Sequence, residues 1–124
     1  MQRPKITNVL ASSINGLIAG STIEPDSKRK SYNLTNQEDQ KHLVSVMASC
    51  DAIITGANSL RSEVGVRTEN GIHGHPPTWI VFTTKGIDQN HKFWKQSDIK
   101  RVLVSPKPIV CIDKKVLNIV CGDD

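Results

Sequence analysis

The sequence predicts an α/β fold with a mostly parallel sheet, and three observations indicate it. Short apolar or β-branched runs recur along the chain, among them 51–55, 78–83 and 101–105. They alternate with a helix-like segment and with long polar connections, as in strand–helix–strand units. The first two runs lack polar alternation, which is typical of strands buried on both faces. At 124 residues the chain is expected to form one domain, residues 1–124.

Residues 5–11 (Lys-Ile-Thr-Asn-Val-Leu-Ala) predict a first strand, with Pro4 acceptable at its start. Small polar residues and glycines follow over 12–20, where the backbone can approach a flat ligand closely. The dipeptide Asn15-Gly16 is also a strong hairpin-turn signal, so an ordinary turn is an alternative there. Residues 21–33 are polar and lack a period, which indicates a surface loop.

An amphipathic helix is predicted over residues 36–49. Thr35 and Glu38 have the spacing of a capping box, and apolar residues then recur at intervals of three and four. We expect Leu43 and Met47, which belong to this apolar stripe, to be largely buried.

The strand 51–55 and the turn after it form the stretch around which the chain is organised. Gly56 permits a tight turn, and Asn58 or Ser59 can cap a short helix that ends near Gly65. Free backbone N–H groups at the carboxyl end of a strand suit an anion. The alternative is a plain loop between a strand and a helix.

The rest of the chain predicts three further strands, at 78–83, 101–105 and 117–121. Residues 66–77 form a long loop with glycines and prolines, and loops of that length are often functional. One helical turn is expected around residues 93–94.

Charge and composition limit the function classes. The net charge of +4 comes from scattered basic residues, and aromatic residues make up only 4%. This pattern fits an acidic small molecule and does not favour nucleic acid. No apolar run approaches the about 20 residues of a membrane span, and the start Met1-Gln2-Arg3-Pro4 does not resemble a secretory signal. We therefore expect a cytoplasmic protein without a membrane partner.

The three cysteines, Cys50, Cys111 and Cys121, are odd in number and lack paired spacing. Neither a disulfide framework nor a zinc site is predicted from them. His73 and His75 have no third ligand placed by the sequence, so no metal is expected.

In this order, the segments resemble the reductase domain of riboflavin biosynthesis, which has a dihydrofolate-reductase-like fold and uses NADPH. The likeness covers nearly the whole chain and depends on an ordered set of short motifs. These are Arg3-Pro4, Ser13-Ile14-Asn15-Gly16, Gly56-Ala57-Asn58-Ser59 with Glu63, and Pro76-Pro77.

The resemblance implies both a cofactor and a set of site residues. Ser59 stands where the family has a threonine that contacts the cofactor phosphates, although a simple helix cap is the alternative. Glu63 replaces an aspartate one turn further on, or is a surface glutamate. The implied cofactor-binding residues are Ala11, Ser12, Asn33, Gly56, Ser59 and Glu63, and the implied substrate-binding residues are Asn15, Ser31 and Arg67.

The implied activity is NADPH-dependent reduction of a phosphoribosylamino-pyrimidine or a related small heterocycle. Three departures accompany it: Met47 replaces a phosphate-binding arginine, Asn15 replaces an aspartate, and the chain stops at Asp124, before a Gly-Gly segment and further C-terminal strands. The alternative is a non-catalytic, truncated or split fragment that needs a partner chain. In either case we expect a homodimer or a complementing C-terminal chain to cover the first strand.

Overall fold

The computed structural model describes residues 2–17, 31, 35–61 and 65–122. The strands within these ranges form one four-stranded, all-parallel sheet in the order β1-β2-β3-β4. Helices flank it, so the predicted α/β class with a parallel sheet is confirmed. Within the same ranges, no helix is long and apolar enough to cross a membrane. The elements are α1 (Gln37–Ala48), β1 (Ala52–Gly56), α2 (Ala57–Arg61), β2 (Thr78–Phe82), a 3₁₀ turn (Lys92–Lys95), β3 (Arg101–Ser105) and β4 (Leu117–Val120).

Helix α1 begins with a capping box one residue later than the sequence spacing suggested. The Asn36 side chain accepts from the Asp39 N–H at 2.9 Å, and the Asp39 carboxylate accepts from the Asn36 N–H at 3.1 Å. Asparagine is among the best N-cap residues, so it replaces the expected Thr35. The predicted helix 36–49 is otherwise confirmed. Met47 is half-buried against the core, less covered than expected.

The core lies on one face of the sheet. Alternate residues of β2 and β3 point to this face, and Val81 and Leu103 are fully buried there. Phe93 and Trp94, from the 3₁₀ turn between β2 and β3, pack in the same cluster with a T-shaped ring contact at 5.2 Å. The connections between strands therefore cover this side.

The opposite face of the sheet, which we call the open face, is apolar, and its described residues are exposed or half-buried. The strand register aligns two rows of side chains across it. Ile54, Phe82 and Leu117 keep 61%, 50% and 58% of their surface exposed. The open face consists of Ile54, Ile80, Phe82, Val102, Val104, Leu117 and Ile119.

Strand β1 lies at the edge of the sheet formed by the described strands, and the prediction that it is buried on both faces is wrong because Ile54 is exposed. It pairs only with β2 among the described strands. An apolar run indicates that a strand has no polar face, but it does not identify the strand's neighbours. Burial on both faces also needs an element over the open face.

The prediction of a first strand is also wrong, because residues 5–11 form no strand. Ile6 and Leu10 keep 80% and 61% of their surface exposed. In an extended conformation Asn8 would share a side with these two apolar residues, while Thr7 would face the other side with Lys5. Neither side is apolar throughout, which disfavours the interior of a parallel sheet.

Candidate functional site

A cleft of about 520 Å³ opens at the carboxyl ends of the strands. Parallel strands bring these ends to one edge of the sheet, which is where ligands collect in open α/β proteins. The volume lies within the range of about 300–1,000 Å³ that is typical of small-molecule sites. The cleft is lined by residues 56–58, Arg61, 82–84, 104–106 and Cys121.

Arg61 supplies the one charged side chain among the described residues that line the cleft. Its guanidinium donates from Nη1 to Asn58 Oδ1 at 2.5 Å and from Nη2 to the Gly86 carbonyl at 2.8 Å. A guanidinium carries five N–H donors, so these two bonds leave others available for an anion. The two anchors also fix the orientation of the group, which favours bidentate recognition of a phosphate or carboxylate.

The turn after β2 holds the second anchor of Arg61 in place. The Thr83 hydroxyl is buried, accepts from the Gly86 N–H at 2.9 Å and donates to the Gly86 carbonyl at 3.2 Å. Gly86 has a φ of +83°, a conformation that residues with a side chain rarely adopt. The position of the Arg61 cation therefore depends on this turn.

The side of the cleft formed by β3 and β4 is also fixed by hydrogen bonds. The Ser105 hydroxyl donates to the Lys107 carbonyl at 2.7 Å and accepts from the Asn118 side chain at 2.9 Å. The Asn118 amide oxygen accepts from the Ile109 N–H at 2.8 Å. This wall is thus held by hydrogen bonds within the chain itself.

Of the residues predicted from the organising stretch, Gly56 lies in the cleft. Ser59 is exposed on α2 and is not among the lining residues. Arg67 lies elsewhere: it forms an ion pair with Glu69 at 3.6 Å and lines a separate small cavity with Trp79.

The other predicted site residues do not line the cleft. Ala11, Ser12 and Asn15 belong to the N-terminal segment 2–17, in which Ala11 is half-buried, Ser12 and Asn15 are exposed, and the Asn15 side chain accepts from the Ser13 hydroxyl. Ser31 is exposed. Asn33 and Glu63 lie outside the described residues.

Helix α2 has five residues, so few peptide dipoles align along it to attract an anion at its first turn. Within the described chain the stronger candidate for anion binding is the Arg61 guanidinium. Sequence reasoning missed Arg61, Thr83 and Ser105. The signal for Thr83 and Ser105 was available, since each is the polar residue that ends an apolar run at the carboxyl edge.

A second polar cluster lies near the amino end of β1. His73 Nε2 is 2.7 Å from Asp51 Oδ1, and the rings of His73 and His75 stack at 5.9 Å. Both His73 and Asp51 are exposed to solvent. No three histidine, cysteine or acidic side chains of the described ranges are grouped so that they could hold a metal ion.

Comparison with protein-family models, with curated proteins and with solved structures finds no match for this chain. The class of protein is therefore inferred from the geometry of the fold and the cleft alone. The chain is an α/β protein with a parallel sheet and a cleft at the carboxyl edge of that sheet, and Arg61 places a cation in the cleft.

Proposed function

We propose that the cleft binds a phosphorylated nucleotide and that the protein is a cytoplasmic NADPH-dependent reductase. Its substrate would be a phosphoribosylamino-pyrimidine in riboflavin biosynthesis or a related small heterocycle. The observation that carries the proposal is the Arg61 guanidinium, held by Asn58 and Gly86 inside a cleft of about 520 Å³. A fixed bidentate cation is well suited to a phosphate group.

The residues of the cleft fit a nucleotide in charge and in space. NADPH supplies the hydride when it is bound, so the protein needs to align two ligands rather than provide a nucleophile. Arg61 would hold a phosphate, while Gly56 leaves space beside it, since an added Cβ would meet no atom within 4 Å. Phe82 and Val104 would give the ligand an apolar surface.

Isothermal titration calorimetry of the purified chain with NADPH tests the cofactor assignment. We expect binding that weakens as salt is added, because the phosphate contacts are ionic. A properly folded chain that binds no NADPH would contradict the proposal. Parallel titrations with DNA and RNA are expected to show no salt-dependent binding.

The open face favours a second candidate function, that of a non-catalytic dihydrofolate-reductase-like fragment that needs a partner. Parallel sheets are normally covered on both faces, and Ile54 and Leu117 are exposed here. The partner would be a second copy of the chain or a complementing C-terminal chain. Binding of NADPH without its oxidation in the presence of the pyrimidine substrate would favour this alternative.

A further inference from the structure

Phe82, at the end of β2, is an aromatic side chain exposed in the cleft. It keeps 50% of its surface exposed, whereas its neighbours Val81 and Thr83 are buried. Successive side chains of a strand point to opposite faces, so Phe82 points away from the core. It lines the same cleft as Arg61. An aromatic ring that lines a concave site is a typical contact for the apolar part of a small ligand.

The space beside this ring is open on the side of β1. Parallel pairing aligns Phe82 with Gly56 of β1 and with Val104 of β3. Gly56 has no side chain, and a Cβ added there would meet no atom within 4 Å. Neighbouring strands lie about 4.8 Å apart, so any other residue at this position would place its side chain next to the ring. The pairing of an aromatic residue with a glycine thus leaves room for a flat group.

The cation of the cleft is attached to the same end of β2. Arg61 donates through Nη2 to the carbonyl of Gly86 at 2.8 Å, and Gly86 lies four residues after Phe82. From the spacing of strands and the rise of a helix, the backbones of Arg61 and Phe82 are on the order of 10 Å apart. One small ligand can therefore contact both the guanidinium and the ring.

We propose that Phe82 stacks on the heterocyclic base of a nucleotide whose phosphate is bound by Arg61. This inference rests on the proposed function and specifies the class of ligand that the cleft selects. A guanidinium binds the phosphate of a sugar phosphate as well as that of a nucleotide. Phe82 is then the residue that distinguishes the two, because offset stacking needs a second planar ring.

Isothermal titration calorimetry of the full chain with AMP and with ribose 5-phosphate tests the proposal. The two ligands share the sugar and the phosphate and differ in the base. We expect AMP to bind roughly three- to tenfold more tightly, as is typical of one aromatic contact. Phe82→Leu keeps an apolar side chain without the ring. It should remove this preference and leave the affinity for ribose 5-phosphate unchanged.

Two further variants separate the phosphate contact from a general effect on the sheet. Arg61→Ala should weaken both ligands by the same factor, because both carry the phosphate. The matched control is Ile54→Leu: Ile54 lies on the same face of the sheet and is 61% exposed, but it is not among the residues that line the cleft. This control should change neither affinity.

Gly56→Val provides an independent test and decides the outcome if Phe82→Leu fails to fold by circular dichroism. Valine is favoured in strands, and its Cβ meets no atom within 4 Å at this position. By filling the space beside the ring, it should weaken AMP more than ribose 5-phosphate. Loss of the same factor for both ligands would contradict the proposed position of the base.

The source of the base is identified by a parallel titration with uridine monophosphate. A stronger preference for AMP would assign the stacked ring to the adenine of NADPH, and a stronger preference for the pyrimidine nucleotide would assign it to the substrate. Equal affinities of the wild-type chain for AMP, uridine monophosphate and ribose 5-phosphate overturn the inference. If these affinities still depend on Arg61, the phosphate site of the proposed function remains supported. If none of the ligands and no NADPH binds, both proposals are wrong.

Discussion

Arg101 at the start of β3 donates through Nη2 to the carboxylate of Asp113, which lies in the connection to β4. The same guanidinium donates through Nε to the Ile99 carbonyl at 3.0 Å and through Nη1 to the Phe93 carbonyl. The guanidinium carbon Cζ of Arg101 lies 5.4 Å from the centre of the Phe93 ring. One buried cation therefore ties the 3₁₀ turn, β3 and the β3–β4 connection together.

Arg101→Met should lower the free energy of unfolding by roughly 2–6 kcal/mol, because two buried carbonyls lose their donor at about 1–3 kcal/mol each. Arg101 is only 2% exposed, so water does not replace the lost bonds. Urea unfolding followed by circular dichroism measures the change. Lys100→Met, at the exposed neighbouring position, is the control and should have little effect. Equal losses for the two variants would contradict this account of Arg101.

The pH dependence of stability should include a contribution from Asp113. The Lys115 backbone N–H, followed by the Arg101 side chain, lowers the pKa of this carboxyl below its ordinary value. In acid the unfolded chain therefore takes up this proton before the folded chain does, and stability falls with falling pH. The contribution is complete above the unfolded pKa of about 3.9 and is lost as pH falls through the lower folded value.

Asp113→Asn removes this titration. Urea unfolding at several pH values between about 5 and 2 should show a shallower loss of stability for the variant than for the wild type. Asp88→Asn, at an exposed position in the turn before the 3₁₀ segment, is the comparison. A wild-type slope in the Asp113 variant would mean that the carboxyl does not contribute.

Arg61→Ala should weaken NADPH binding by about 1.5–3 kcal/mol, the value typical of a hydrogen bond to a charged group. Ser59→Ala should cost about 1 kcal/mol if the hydroxyl contacts a phosphate as the resemblance implies. Lys95→Ala removes an exposed cation of the 3₁₀ turn and should change the affinity little. Calorimetry that shows equal losses for Arg61→Ala and Lys95→Ala would indicate nonspecific attraction to a basic protein.

The thiols provide a second readout of cleft occupancy. Cys121 is exposed and lines the cleft, whereas burial raises the pKa of the Cys111 thiol. Because the thiolate is the reactive form, Cys121 should alkylate faster than Cys111. NADPH should slow alkylation of Cys121 several-fold and leave Cys50 and Cys111 unchanged, as measured by mass spectrometry of peptides. Uniform slowing of all three would indicate a global effect instead.

Much of the fold could be predicted because local signals agree with it. Strand β2 corresponds to the β-branched and aromatic run at 78–83, and strand β3 to the run at 101–105. The N-cap signal and the spacing of the apolar residues predicted the position of α1. The prediction of a first strand was wrong because residues 5–11 have the length of a strand but lack a uniformly apolar side. The edge position of β1 could not be predicted, because strand order depends on pairings between residues that are distant in the chain.

The cleft could be predicted only in outline. Gly56 followed from the rule that ligands collect at the carboxyl ends of parallel strands. Arg61 could not be assigned in this way, because its orientation is fixed by the Gly86 carbonyl, 25 residues away in the chain. The sequence does not reveal that a turn after β2 orients a side chain after β1.

The strand order has a consequence for what can cover the open face. Successive strands step in one direction across the sheet, and parallel connections are almost always right-handed. Right-handed connections that step one way all pass over the same side, which here is the side that holds Phe93 and Leu103. That the described connections leave the other side uncovered is therefore a consequence of chirality and strand order.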